Sequence, residues 1–457
     1  MQTSYDHMTI YAVSTPPGRG GIGVVRISGG DTLPILRALF HRDAFAPRTM
    51  VYGKVFDATG RLLDEAMAVY FPAPHSYTGE DVAEIHGHGN PTILSAIMDA
   101  IGTLCKNARP ADNGEFTKRA FLNGKMDLTE AEAVMEVISA RSMSAVDASL
   151  RQLGGEVGTA ISAIRSDLMD ATAGLEAAID YPEEEWEDEA VTAAVALLKS
   201  AQSRIEALGL SYERGRLVKE GIGCTMVGAP NAGKSSLLNA IAGFPRAIVD
   251  DTPGTTRDVL EYPFTYMGQL IRLYDTAGRR DVKTGAEAIG LQMGEAAVHE
   301  SDIIILVLDG AEPLTAEDYA AARLCMGKPT VIAYNKVDLG RSLTRGELYR
   351  LGLDAPVVEI SAKEGEGVEE LLFTILTLSG LADGVEDTLI TSARQRDCLM
   401  RAKDALGRAI DAHTAGVPFD LVSQDAMDAL SALYSLTGED PRADVIDTIF
   451  KKFCVGK

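Results

Sequence analysis

Apolar positions set out the architecture before any motif is considered. Residues 9–13, 21–27, 50–56 and 66–71 are short apolar runs bounded by turn residues and predict strands, with helices predicted over 31–39 and 91–101. A small mixed α/β domain is expected over 1–125. Residues 128–153 and 156–179 instead carry apolar positions at three and four spacing and are rich in Ala, Met, Glu and Leu, which predicts long helices. Tyr181-Pro182 and the acidic stretch 183–189 interrupt them as a solvated loop and helix start, and 191–208 resumes as helix. The period then shortens again. Runs at 223–227, 270–274, 329–334 and 357–360 each stop at a polar loop, before helical patterns return at 392–415, 421–434 and 441–453. Helices on both sides of a self-contained α/β segment predict a domain inserted into a helical one, which works because domain ends usually lie close together.

The loop after 223–227 carries the first candidate chemistry. Gly228 and Gly233 bracket Ala229, Pro230, Asn231 and Ala232, and Lys234, Ser235 and Ser236 follow, fitting G-x-x-x-x-G-K-[ST]. Glycines let successive N–H groups turn inward around phosphate oxygens while the next helix offers its positive end. Lys234 then reaches the β/γ oxygens, and the Ser235 hydroxyl ligates Mg²⁺. A chance match in an ordinary strand-to-helix turn is the alternative, and the downstream loops weigh against it. Asp275-Thr276-Ala277-Gly278 resembles the D-x-x-G loop of the GTPase superfamily, which holds Mg²⁺ through water and meets the γ-phosphate. Asn335-Lys336-Val337-Asp338 matches its N-K-x-D signature, where the Asp accepts from guanine N1–H and N2–H. Ser361-Ala362-Lys363 resembles the S-A-K loop that backs the base. Each lies at a strand end, in superfamily order.

Composition narrows the partners. Of 457 residues, 43 are basic and 66 acidic, and the net charge of −23 opposes broad binding to phosphate backbones or anionic lipid. Any nucleic-acid role needs a local basic patch or a basic partner. Cys105, Cys224, Cys325, Cys398 and Cys454 are scattered without a C-x-x-C pair, which suggests reduced thiols rather than a disulfide frame or zinc site. No apolar run reaches the roughly 18 residues of a membrane span, and residues 1–11 lack a signal pattern, so a cytoplasmic address is expected. In the first domain, 16–21 reads as a surface loop or a binding loop, and 77–89 as a loop whose His86 and His88 could suggest a metal but lack a third ligand nearby. Residues 114–125 begin like a capped helix and end at glycine.

Thr15 to Gly21, Gly254-Thr255-Thr256-Arg257-Asp258 and the final Phe453-Cys454-Val455-Gly456-Lys457, taken with the mid-chain GTPase motifs, make the chain resemble the MnmE (TrmE) family of tRNA-modification GTPases along essentially its whole length. The resemblance implies a multidomain α/β plus α fold: a folate-binding and dimerising α+β domain over 1–125, a discontinuous helical domain over 126–219 and 381–457, and an inserted Ras-like P-loop GTPase domain over 220–380. It implies a homodimer that works with an FAD-dependent partner, MnmG (GidA), on the wobble uridine of certain tRNAs. That chemistry adds an aminomethyl or carboxymethylaminomethyl group at C5. A one-carbon unit from 5-formyl-tetrahydrofolate or 5,10-methylene-tetrahydrofolate supplies the methylene. Arg26, Glu84, Lys125 and Lys457 are the folate contacts by match, and Cys454 is either a reactive thiol or a quiet free cysteine.

For the GTPase, Arg279 stands where Ras-like proteins place a water-orienting Gln, and by match Glu287 takes that role. The resemblance also implies K⁺ activation in place of an arginine finger. Asn231 ligates K⁺, and the loop of Asp250, Asp251, Thr252, Pro253, Gly254 and Thr255 wraps it, while Ser235 and Thr256 hold Mg²⁺. Asp250 and Arg279 depart from the usual family residues. A GTPase switch that only gates a partner enzyme, or one that serves ribosome assembly, is the competing reading.

Overall fold

The computed structural model describes residues 7–180, 187–243, 248–249, 260–275, 298–384, 388–439 and 443–457. The chain forms two compact units, one of 1–135, 153–205 and 398–457, the other of 136–152 and 206–397. Among the described residues no helix is long and apolar enough to cross a membrane.

The first unit holds a six-stranded sheet of order β3-β4-β5-β2-β1-β6, with β1 Thr9–Val13, β2 Gly20–Ser28, β3 Val51–Phe56, β4 Leu62–Phe71, β5 Val82–Gly89 and β6 Ala108–Pro110. Helices α1 (Thr32–Phe40) and α2 (Pro91–Leu104) supply Leu36, Leu39, Ile97 and Ile101 to a core with Val25, Ile27, Ala68 and Ile85 from the sheet. Strand β5 corrects the sequence reading, which took 77–89 as a loop. Ala83 and Ile85 are buried on one face, whereas the side chains of Glu84, His86 and His88 alternate onto the other, with buried Val82 at its start. Glycine is demanded where neighbours press in. A β-carbon at Gly87 would lie 2.5 Å from Asp64 Oδ2, and one at Gly89 would lie 2.6 Å from the Gly20 carbonyl oxygen.

Helix α3 (Glu115–Leu122) follows the sheet, then the helical elements α4 (Leu128–Ser139), α5 (Met143–Leu153), α6 (Glu156–Asp180) and α7 (Glu187–Glu220). The single helix expected over 128–153 breaks because the Ser142 hydroxyl accepts the Ala145 N–H at 3.2 Å, capping α5. In the first unit α6 packs on the helix Phe419–Thr437, burying Ile161, Ile164 and Leu168. The Arg165 guanidinium lies 4.0 Å over the Tyr434 ring and pairs with Glu439.

The second unit contains a seven-stranded sheet of order β13-β12-β11-β7-β10-β9-β8. β7 (Ile222–Val227), β10 (Gln269–Asp275), β11 (Ile303–Asp309), β12 (Thr330–Asn335) and β13 (Val357–Glu359) are parallel. On one edge β9 (Leu260–Tyr266) runs antiparallel to β10, and β8 (Ile248–Val249) antiparallel to β9. β7 is buried throughout and lies between β10 and β11. Strand order reverses beside it, so a crevice opens over its carboxyl end, the usual ligand position in an open α/β sheet. Residues 136–152 belong to this unit too: Ala145 and Ala148 share a core with Phe264, Tyr266 and Leu389. Glu136 joins Lys219 at 2.5 Å and accepts from Thr391 Oγ1 at 2.8 Å.

Candidate active site

The phosphate loop occupies the predicted crevice. Gly228 (φ +151°) follows β7, and a β-carbon there would strike the Val307 carbonyl of β11, so only glycine lets the chain turn so close to its neighbour. Asn231 is left-handed (φ +63°), and Gly233 (φ +101°) begins α8, Lys234–Ala242. A β-carbon at Gly233 would collide with Asn335 Nδ2. Both glycines of the motif are therefore needed for tertiary reasons as well as for turn geometry.

Asn335 binds the loops together. Its side chain is buried, with Nδ2 donating to the Ala232 carbonyl at 2.8 Å and Oδ1 accepting from the Ala362 N–H at 3.0 Å. One amide thus fixes the phosphate loop and the S-A-K loop to the end of β12. Asp338 is exposed at the crevice, and Ser361 Oγ donates to its Oδ1 at 2.7 Å, which orients the carboxylate. Lys336, at φ +64°, pairs with Asp309 Oδ2 at 2.6 Å. The Lys363 side chain is exposed and lies 3.3 Å from Glu364.

Lys234 folds back over the loop, donating to the carbonyls of Gly228 (2.7 Å) and Ala229 (2.8 Å). Ser235 and Ser236 are exposed on the first turn of α8, where a hydroxyl oxygen suits a hard cation, and Asn231 is exposed beside them with an amide oxygen to offer. Asp275 ends β10 in register with Met226, so its backbone lies at the same end of the sheet as the phosphate loop. Asp250, Asp251, Thr252, Pro253, Gly254, Thr255, Thr256, Thr276, Ala277, Gly278, Arg279 and Glu287 lie outside the described residues.

A second polar cluster lies in the first unit, where the chain's last residues return to the sheet. Gly456 (φ +93°) leaves no room for a side chain against the Val13 carbonyl; its own carbonyl accepts from Ser14 Oγ at 3.1 Å. The Lys457 carbonyl accepts from Phe116 N–H at 3.2 Å, and Asn113 bridges Val455. Arg26 lies beside this tail. Its Nη1 is 3.5 Å from the Gly456 carbonyl, its Nε and Nη2 reach Glu84 Oε1 at 3.0 and 2.8 Å, and its guanidinium stands over Tyr77 and Phe116. Burial and the positive charge of Arg26 push the Lys457 ammonium below its ordinary value, partly opposed by Glu84 and Cys454. Arg26, Glu84, Cys454 and Lys457 therefore share one electrostatic neighbourhood. Lys125 has a different partner, the Pro74 carbonyl at 3.2 Å.

Sequence reasoning weighed His86 only as a possible metal ligand in a loop and missed its place beside Glu84, whose Oε2 lies 3.2 Å from His86 Nε2. The alternation Val82-Ala83-Glu84-Ile85-His86 was the signal that could have placed it on a strand beside Glu84. Among the described residues no group of three or more His, Cys, Asp or Glu could hold a metal, and His88 bonds Asp64 instead. All five cysteines are free.

Comparison with known proteins adds the family. A model of the MnmE helical domain matches residues 128–454, and one of the GTP-binding protein TrmE N-terminus matches residues 9–125. The tRNA modification GTPase MnmE of Lactobacillus delbrueckii subsp. bulgaricus is 38% identical over 460 residues, covering 100% of this chain and 99% of that one. That of Natranaerobius thermophilus is also 38% identical, covering 98% and 99%.

Proposed function

Given that this chain belongs to the MnmE family of tRNA modification GTPases, we propose that its two polar sites divide the labour of one modification. The protein is a GTP hydrolase acting in tRNA modification. With an FAD-dependent partner of the MnmG (GidA) kind, it installs an aminomethyl or carboxymethylaminomethyl group at C5 of the wobble uridine. The carbon comes from 5-formyl- or 5,10-methylene-tetrahydrofolate. FAD enters only through the partner, and the protein acts in the cytoplasm as a homodimer paired through residues 1–125.

The observation that carries this reading is the docked tail. Gly456 and Lys457 close on the Arg26–Glu84 pair, giving a carboxylate that can accept from the amide-like edge of a pterin and cations that can meet folate carboxylates. Such a site is unneeded for nucleotide hydrolysis.

In the nucleotide site, the N–H groups opening α8 bind phosphate oxygens, and Lys234 exchanges its two carbonyl partners for the β/γ oxygens. Asp338, held by Ser361, accepts both donors of the guanine edge. Ser235 and Thr256 would hold Mg²⁺; Asn231, Asp250, Thr252 and Thr255 would hold K⁺. When bound, these ions would supply positive charge to offset the negative charge that develops on the phosphates, as an arginine finger does elsewhere. Glu287 accepts a hydrogen bond from the attacking water and so orients it.

Mass spectrometry of tRNA nucleosides from cells lacking the gene tests the modification, and unaltered wobble uridines would refute it. Turnover measured in K⁺ and in Na⁺ at matched ionic strength tests the cation loop. Faster hydrolysis in K⁺ is expected, and equal rates would discard that part of the mechanism.

A further inference from the structure

Glu84 is engaged at both carboxylate oxygens, and only one of the engagements has a role so far. An ionised carboxylate offers about four acceptor positions, two on each oxygen. Arg26 Nε and Nη2 both donate to Oε1, at 3.0 and 2.8 Å, from the same side. His86 Nε2 takes one position of Oε2, at 3.2 Å. Because a carboxylate can only accept, that imidazole nitrogen carries the hydrogen. One position on Oε2 is left, and the His86 contact sets which one.

We propose that His86 is a positioning residue for ligand binding, aiming the open lone pair of Glu84 Oε2 at an N–H donor of a reduced pterin. This rests on the folate reading above. Arg26 alone could not do it, since its contacts meet one oxygen and leave two positions of the other to water. The side chains of Arg26, Glu84 and His86 are 15%, 21% and 24% exposed, so the cluster is partly open to water, which competes with a ligand for the carboxylate. With His86 in place the competition is confined to the position the ligand takes.

Neighbouring groups do not duplicate the role. His88, next on the same face of β5, is committed to Asp64: its Nδ1 lies 2.7 Å from Oδ1, and its backbone N–H donates to Oδ2 at 2.8 Å. On the adjacent strands the residues in register with His86 are Val24 and Met67, which offer no hydrogen bond.

The test titrates the full-length protein with 5-formyl-tetrahydrofolate by isothermal calorimetry, comparing wild type with His86→Ala, His86→Gln, Glu84→Gln and the Glu84→Gln/His86→Ala double variant. A hydrogen bond to a charged group predicts that His86→Ala weakens binding about tenfold. The glutamine amide nitrogen can replace Nε2, so His86→Gln should stay within about threefold of wild type. With Glu84 already neutralised, His86→Ala should add little, because the histidine acts through that carboxylate. Unchanged binding in His86→Ala, with Glu84→Gln impaired, overturns the inference and leaves the folate site standing. An equal loss in both backgrounds, or no rescue by glutamine, reduces His86 to a sheet residue and also overturns it. Unchanged binding in Glu84→Gln instead removes the folate reading at this carboxylate.

Discussion

Replacing Asn335 tests the logic of the nucleotide site most directly. Its amide makes two buried hydrogen bonds, to the Ala232 carbonyl at 2.8 Å and from the Ala362 N–H at 3.0 Å. Alanine would remove both and orphan a carbonyl and an N–H at the junction of three loops. Two unsatisfied buried groups at about 1–3 kcal/mol each, eased by whatever water enters, give a cost of about 3 kcal/mol. If the nucleotide-bound loops bear that cost, affinity for GDP falls about 100-fold. Aspartate is the sharper variant. It keeps the acceptor for Ala362 but sets a carboxylate oxygen against the Ala232 carbonyl, so Asn335→Asp should bind more weakly than Asn335→Ala. Competition with a fluorescent GDP analogue reads both. Alanine affinity within threefold of wild type, or aspartate binding better than alanine, would refute the claim that this amide ties the loops.

The remaining expectations are more local. Asp338→Asn replaces an acceptor for the guanine edge by a donor, so affinity should move from GTP towards the xanthine nucleotide, whose 2-oxo group can accept; competition binding with both nucleotides checks it. Glu287→Ala should bind GTP normally and lose hydrolysis by ~10²-fold, and wild-type turnover would remove this residue from the mechanism. Burial alone would raise the Glu115 carboxyl, but Arg109, the Asp112 N–H and Arg119 outweigh it and hold it below the ordinary 4.5. Its contribution to stability is thus complete above pH 4.5 and lost as pH falls through the lowered folded value, so Glu115→Gln should flatten the acid limb of thermal stability. Parallel acid limbs in the two proteins would count against it.

The nucleotide motifs were legible because their spacing is imposed by phosphate and base geometry and because each follows a short, mostly apolar run that stops at a polar loop. β7 reads as a run broken in polarity only by Thr225, because a central parallel strand is covered on both faces. β5 was missed for the opposite reason. Its outward face carries Glu84, His86 and His88 and its inward face is interrupted by Gly87 and Gly89, so composition resembled a turn. Those glycines are set by Asp64 and by the Gly20 carbonyl, neighbours that only the fold supplies. The tail was legible as a motif, whereas its seating depends on residues more than 400 positions away, as the Ser14–Gly456 bond illustrates. The break at Ser142 turns on one side-chain cap inside an otherwise continuous helical pattern.

The placement of 136–152 has a mechanical consequence within the second unit. β9 and β10 pair without a break from Leu260–Asp275 at the nucleotide end to Tyr266–Gln269 at the turn. That turn, with Met267 and Gly268 both at positive φ, is the tight two-residue kind that fixes register. Its Gly268 carbonyl accepts the Ser144 N–H of α5 at 3.1 Å. A one-residue slip would turn buried Phe264, Tyr266, Ile271 and Leu273 to the wrong face, so the hairpin cannot absorb a displacement by sliding. A shift of the strand ends beside the phosphate loop is therefore carried to the α5 end of the hairpin or resisted there. α5 is held in turn by Ala145 and Ala148 in the shared core, and neighbouring Glu136 is tied to Lys219 and Thr391, the residues by which the chain enters and leaves the GTPase sheet.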